Sequence, residues 1–355
     1  MGSLTDYLDK GASLGRDAPC LVEGERTLSY GDVQDLSHRV AGALAREGVE
    51  PGAKVGILSS NNAVAFACVF GIARRGAVWC PINPRNEMAE TRALLELFDC
   101  ECLIYHPAYA PMAAQLDVRL KVCLDDLDDW LDEPIEQSAL VDDLAMLVGT
   151  GGTTGLPKGV MLTSRNLETM TALTLMGYPF SGRPAYLALA PLTHAAGVLC
   201  FPVMTHGGRI VVMPKPDVGE FLALIERERI THTFLPPTLI YMLLGHEAIG
   251  TTDLSSLQCF WYGAAPMSTA RLEEALRVLG PVAQLFGQTE APMMISMLPP
   301  AEHYNADGTV ATQRLASAGR PAPLVTVGIM DPDTGRLLGT GERGEIVVRG
   351  SLVMA

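Results

Sequence analysis

The chain has 355 residues, 48% of them hydrophobic and 19% charged, and a net charge of −14. That length and balance fit a folded α/β protein with a large core and two or more subdomains, and the acidic balance argues against a nucleic-acid partner, which needs basic patches. Binding of ATP stays open, because it needs only local positive charge. No apolar run approaches the about 20 residues of a membrane helix. Asp6 and Asp9 stand early with no apolar signal core, so a cytoplasmic location is expected. The eight cysteines form no C-x-x-C pair, and most lie in apolar segments such as Phe66-Ala67-Cys68-Val69-Phe70. They read as small core hydrophobes in a reducing compartment, with a zinc site the lesser alternative.

In chain order, Val33, Leu36, Val40 and Leu44 mark a helix ending near Gly48. Residues 55–58 read as a strand, Asn61-Asn62 as the opening of a helix to about 73, 76–81 as a strand, 88–97 as a helix and 102–105 as a strand. The acidic stretch 125–136 reads as a surface connection with a solvated face. A short buried strand is expected over 144–148. Further strands are expected over 186–190, 209–213, 231–235, 258–262 and 282–286, with helices over 218–229 and 269–279. Repeated β-α units predict α/β architecture with two predominantly parallel, helix-flanked sheets. Strands over 326–330 and 344–349, separated by Asp331-Pro332-Asp333-Thr334-Gly335, predict a small antiparallel or β-barrel-like subdomain. The expected units are 1–180, 181–320 and 321–355.

After the strand at 144–148 come four glycines, three threonines and a lysine within residues 150–159. Glycine lets main-chain N–H groups approach a ligand closely, and hydroxyls and an ammonium add donors, which together suit a polyphosphate. The spacing is not that of the P-loop, since Lys158 follows Leu156-Pro157 and precedes Gly159. The plain alternative is a flexible surface loop. Three other unusual loops each follow a predicted strand: Pro191-Leu192-Thr193-His194-Ala195-Ala196-Gly197, Gly263-Ala264-Ala265-Pro266-Met267 and Gly287-Gln288-Thr289-Glu290. Ligands of open parallel sheets bind beyond the strands' carboxyl ends, so these loops are expected to converge. A carboxylate beside bound phosphates makes chemical sense when it holds Mg²⁺, which makes Glu290 the candidate metal ligand and Thr289 a donor to a phosphate oxygen. The alternative for this pair is the first turn of a helix.

The glycine-rich stretch resembles the phosphate loop of the adenylate-forming superfamily, which includes acyl-CoA synthetases, peptide-synthetase adenylation domains and firefly luciferase. Gly151 stands where the family often has serine. Phe286-Gly287-Gln288-Thr289-Glu290 resembles its Tyr-Gly-x-Thr-Glu motif, with Phe286 in place of tyrosine. Tyr262-Gly263-Ala264-Ala265-Pro266 resembles its adenine loop, with Ala264 for the second glycine. Gly341-Glu342-Arg343-Gly344-Glu345-Ile346 resembles the entry to its barrel subdomain. The matches span about 150–350, with looser similarity upstream.

The resemblance implies ligation of a carboxylic acid in two steps: adenylation by ATP, then transfer to a thiol, usually that of coenzyme A. It implies that Thr150, Gly151, Gly152, Thr153, Thr154, Gly155 and Lys158 hold the β- and γ-phosphates. Gly263, Ala264, Ala265, Pro266, Phe286, Gly287, Gln288 and Thr289 hold the rest of the nucleotide, and Glu290 holds Mg²⁺. His194 falls where the acyl carboxylate meets the α-phosphate, with a core histidine as the plain alternative. Lys158, Thr289, Glu290 and His194 are thus the catalytic candidates. The acyl pocket falls on His194, Ala195, Ala196, Phe234, Tyr262, Gly263, Leu285, Gly287, Pro292 and Met293. That wall is mostly apolar and has no acid for an α-ammonium, so the expected substrate is a hydrophobic acid: fatty, aromatic or alicyclic. Family members continue through a ribose-binding aspartate, a hinge and a C-terminal domain with the adenylation lysine, and the expectation is that this chain carries only the large domain. A carrier-protein thiol as acceptor, a nucleotide-binding module without catalysis and a homodimer are left open.

Overall fold

The computed structural model describes residues 2–137, 143–150, 158–193 and 195–355, and the backbone alone of Ala195 and Ala196. Helix α1 (Leu4–Leu14) and strands β1 (Pro19–Glu23) and β2 (Arg26–Ser29) open the chain. Ser29 caps α2 (Tyr30–Arg46), whose Val33, Val40 and Leu44 are buried as the helical stripe predicts. Then follow β3 (Lys54–Leu58), α3 (Ala63–Arg74), β4 (Val78–Ile82), α4 (Met88–Phe98) and β5 (Cys100–Tyr105). The short helices α5 (Ala110–Ala113) and α6 (Leu127–Trp130) flank β6 (Leu120–Cys123). Leu127 of α6 is buried, so the acidic stretch 125–136 is anchored to the core as well as solvated. Next come β7 (Leu144–Thr150), β8 (Lys158–Thr163), α7 (Ser164–Gly177), β9 (Ala185–Ala188), α8 (Ala195–Thr205), β10 (Arg209–Val212) and α9 (Val218–Arg227). The chain continues through β11 (His232–Leu235), α10 (Pro237–Leu244), β12 (Cys259–Gly263), α11 (Thr269–Val278), β13 (Val282–Gln288) and β14 (Ala291–Leu298). It ends with α12 (Thr312–Leu315), β15 (Arg320–Pro321), β16 (Thr326–Met330) and β17 (Glu345–Arg349).

The strands form the two parallel-rich sheets expected. One has the order β6-β5-β3-β4-β7-β8, parallel except for β8. The other has the order β15-β14-β13-β12-β11-β9-β10-β1-β2, parallel from β13 to β1 and antiparallel at both edges. The expected unit 1–180 does not keep its strands together. Leu21 and Val22 of β1 pair with Ile210 and Val211 of β10, and α1 packs on α8 with Tyr7 stacked on Phe201 at 4.8 Å. β16 and β17 form a two-stranded antiparallel ladder, the antiparallel form of the two expected.

Helix α3 is apolar around its circumference until Arg74 at its end, and every residue of it is buried, because it lies in the core between the sheets with Trp79, Phe201 and Trp261. A second core under α9, α10 and α11 covers the other face of the nine-stranded sheet. The cysteines form no disulfide and six of the eight are buried, as their apolar settings predict. Among the described residues, no helix is long and apolar enough to cross a membrane, and no group of three His, Cys, Asp or Glu side chains could hold a metal.

His232 of β11 is 1% exposed, packed between Phe180 and Trp261 at ring distances of 4.7 and 5.2 Å. Burial pushes its imidazole down to about 4. Between about pH 6.5 and 4 the unfolded chain takes up a proton that the folded one refuses, so stability falls as pH drops through that window. Urea unfolding is expected to lose about 2 kcal/mol from this residue between about pH 7 and 5. His232→Phe is expected to flatten that slope, and an unchanged slope in the variant would refute the assignment.

Candidate functional site

The glycine-rich stretch follows β7 and precedes β8, which pair antiparallel. β7 runs on to Thr150, which pairs across the ladder with Lys158, the first residue of the antiparallel β8. The expected strand at 144–148 is therefore longer, and Lys158 lies in a strand, where it is exposed. Gly151, Gly152, Thr153, Thr154 and Gly155 lie outside the described residues. Two flanking glycines have a packing reason. A Cβ on Gly149 would sit 2.7 Å from Leu94, and one on Gly159 would sit 2.7 Å from Phe98. Bare backbone at both positions lets α4 cross the hairpin closely.

The other three loops leave the carboxyl ends of β9, β12 and β13, all in the nine-stranded sheet. His194 lies outside the described residues, as do the side chains of Ala195 and Ala196. Beside them, a Cβ on Gly197 would lie 1.9 Å from the Leu192 carbonyl oxygen, so that position needs glycine.

At the end of β12, Gly263 pairs with Leu285 of β13, and a Cβ there would lie 2.3 Å from the Leu285 carbonyl oxygen and 3.5 Å from the Phe234 ring. Phe234 and Leu285 belong to the core between the sheets. Three expected wall residues thus share one face. Ala264 follows with φ 66°, a left-handed backbone that the family's glycine adopts freely and alanine adopts under strain. Ala264, Ala265 and Pro266 are exposed.

The Tyr262 side chain does not join that wall. Strand alternation turns it to the opposite face, into the core under α10 and α11. There its hydroxyl lies 3.1 Å from Nε2 of His303, whose Nδ1 lies 3.0 Å from the Pro299 carbonyl oxygen. A carbonyl can only accept, so Nδ1 carries the proton and Nε2 accepts from the phenol. Burial raises the phenol pKa and lowers that of the imidazole, keeping the pair neutral. Tyr262 therefore anchors the end of β12 by its side chain while its backbone leads into the loop.

Thr289 and Glu290 form the turn of the β13–β14 hairpin, which removes the helix-start alternative. Phe286 pairs with Ser296 but Gln288 with Ala291, so residues 292–295 bulge opposite Gly287. Met293 takes φ 62°, Pro292 is buried, and a Cβ on Gly287 would lie 2.4 Å from the Met293 nitrogen. Gly287→Ala must push backbone apart and is expected to cost about 1–3 kcal/mol. A wild-type urea midpoint in that variant would show that the bulge yields.

The segment 351–355 ties this turn to β8. Met354 N–H donates to the Glu290 carbonyl at 2.8 Å and Ala355 N–H to the Met161 carbonyl of β8 at 3.1 Å. Asn166 of α7 donates to the Ser351 and Val353 carbonyls at 2.9 and 2.7 Å, and its side-chain oxygen accepts from Thr163 N–H. The sequence reading missed Asn166. Its signal was a capping pair, Thr163 and Asn166, whose spare amide hydrogens needed acceptors.

Facing carboxyl edges of two parallel-rich sheets, with the β7–β8 pair that flanks the glycine-rich stretch on one and three loops on the other, define the fold of adenylate-forming enzymes. The chain belongs to the AMP-binding enzyme family, whose model matches residues 8–355. It is 32% identical to the medium/long-chain-fatty-acid–CoA ligase FadD8 of Mycobacterium tuberculosis (strain ATCC 25618 / H37Rv), over 95% of this chain and 62% of that protein. It is 31% identical to the feruloyl-CoA synthase of an Amycolatopsis species, over 97% of this chain and 69% of the relative. The structure of the amide bond synthetase McbA from Marinactinospora thermotolerans superposes with a TM-score of 0.90 at 26% identity, covering 98% of this chain and 71% of McbA. The chain thus spans 62 to 69% of the length of the two curated relatives.

Proposed function

We propose that the protein activates a hydrophobic carboxylic acid with ATP, as an acyl-CoA synthetase. An acid oxygen attacks the α-phosphorus, the bond to the bridging oxygen breaks, pyrophosphate leaves and an acyl-adenylate remains. The thiol of coenzyme A then attacks the acyl carbon and AMP leaves. The observation that carries this reading is the hydrogen-bonded link through 351–355, which joins the Glu290 turn to the hairpin of Thr150 and Lys158. In this reading Lys158, Thr150, Thr153 and Thr154 grip the β- and γ-phosphates and Thr289 donates to the α-phosphate. Gly263 to Pro266, Phe286, Gly287 and Gln288 enclose the adenosine. Glu290 fits magnesium as a single carboxylate, the kind of site magnesium shares with substrate phosphates. When bound, the ion screens the charge between acid and phosphates. His194, Ala195, Ala196, Phe234, Gly263, Leu285, Pro292 and Met293 line the acyl side, with Tyr262 contributing backbone.

The wall has no acid to pair an α-ammonium, which supports apolar acids over amino acids. ATP–pyrophosphate exchange with ferulate, benzoate, decanoate and leucine tests this, and preference for leucine refutes it. A second reading, transfer to an amine, is favoured by the similarity to McbA, whose described activity is amide bond synthesis. Product analysis with coenzyme A and with an aromatic amine separates the two acceptors.

A further inference from the structure

Asn61 lies in the turn after β3, is 9% exposed, and sits where the carboxyl edges of the two sheets meet. Its amide nitrogen is 3.3, 3.1 and 3.2 Å from the carbonyl oxygens of Ala188, Leu189 and Ala190, and 3.2 Å from that of Met213. Its Oδ1 accepts from Leu192 N–H at 2.8 Å. One side chain after β3 thus lies within hydrogen-bond reach of five main-chain groups at the ends of β9 and β10, its two amide hydrogens shared among four carbonyls. No other neutral side chain of that length offers two N–H donors and an acceptor together. The neighbouring Asn62 already caps α3 through Ala65 N–H, so Asn61 is free of that duty.

The Leu192 amide belongs to the loop of residues 191–197, and a second feature ties that loop to the six-stranded sheet. A cavity of about 20 Å³ lies between Ser59, Trp79, Leu192 and Thr193. The Trp79 indole nitrogen and the Thr193 hydroxyl are both buried without a protein partner among the described residues. That volume holds one water, which can bridge the two groups.

We propose that Asn61 is a positioning residue for the acyl side of the site, docking the loop 191–197 of one sheet onto the other, with a bridging water at Thr193 as the second tie. This rests on the acid-activating reading of the same site. It makes acid binding depend on Asn61 while nucleotide binding, which uses the hairpin and the β12 and β13 loops, does not.

The test uses the intact protein with Asn61→Ala, and Asn61→Ser as the milder change should the first not fold. Hydrogen exchange is followed at the Leu192 amide and along β9 to β11. Steady-state pyrophosphate exchange is measured with the best of ferulate, benzoate and decanoate. Leu192 should exchange about tenfold faster while the strand amides keep their protection, the expected result of losing one buried acceptor. The KM for the acid should rise about tenfold with the KM for ATP held within about twofold. Unchanged exchange at Leu192, or both KM values rising together, overturns the proposal. A wild-type protein that activates none of the acids defeats the acid-activating reading instead, and the Leu192 amide then still decides whether Asn61 holds the loop.

Discussion

Replacing Glu290 by glutamine is expected to lower acid-dependent ATP–pyrophosphate exchange by about 10²–10³-fold, the scale of losing one charged group that serves the developing transition state. Glutamine keeps the size and hydrogen-bonding shape of the side chain. The hairpin turn and its main-chain bond from Met354 to the Glu290 carbonyl should survive. What is lost, in the proposed reading, is the negative charge that holds magnesium where the acid approaches the polyphosphate. Without it the magnesium requirement should rise, so exchange measured against magnesium concentration is the sensitive readout. Lys158→Ala, on the facing hairpin, should instead weaken MgATP binding by about 10- to 100-fold, the worth of a hydrogen bond to a charged group. Calorimetric affinities for MgATP at wild-type values in both variants would remove these two residues from the site.

Asp9→Ala is expected to cost about 3 kcal/mol of folding stability. The Arg74 side chain is 4% exposed and its guanidinium donates to Asp9 and to the Ser37 hydroxyl. Gln34 donates to the same Asp9 oxygen at 2.7 Å. Helices α1, α2 and α3 therefore share one buried cation. Removing its carboxylate leaves the charge in the core with a hydroxyl for company, and desolvation is no longer offset. Adding Arg74→Met to Asp9→Ala removes that charge and keeps the volume, so the double variant should be more stable than the single one. Urea unfolding of the three proteins decides it, and a double variant weaker than Asp9→Ala contradicts the buried-charge explanation.

Much of the architecture was legible because each element carries its own pattern. The stripe of Val33, Val40 and Leu44 is the buried side of α2, and Asn62 does open a helix, α3. The five strands expected between 186 and 286 are β9 to β13, side by side in one sheet with their loops at one edge. Other features had no local signature. Nothing along residues 19–29 says that β1 will lie beside β10, since strand partners are chosen by packing. Tyr262 was expected in the acyl wall because a family pocket position falls on it. Which face a residue takes depends on the strand's register against the core, and that register sends its phenol to His303.

By itself the sequence determined the class of this protein. Its β-α periodicity predicts parallel sheets, and the order of its glycine, threonine, lysine and glutamate motifs identifies the chemistry they can serve. Those are properties of residue type and spacing along the chain. Only the tertiary structure decided that 351–355 ties β8 to the Glu290 turn, and that Asn61 holds the ends of β9 and β10. Each of these is a hydrogen bond between groups distant in sequence. Its partners come into range only once buried apolar surface has fixed how the two sheets stand against each other.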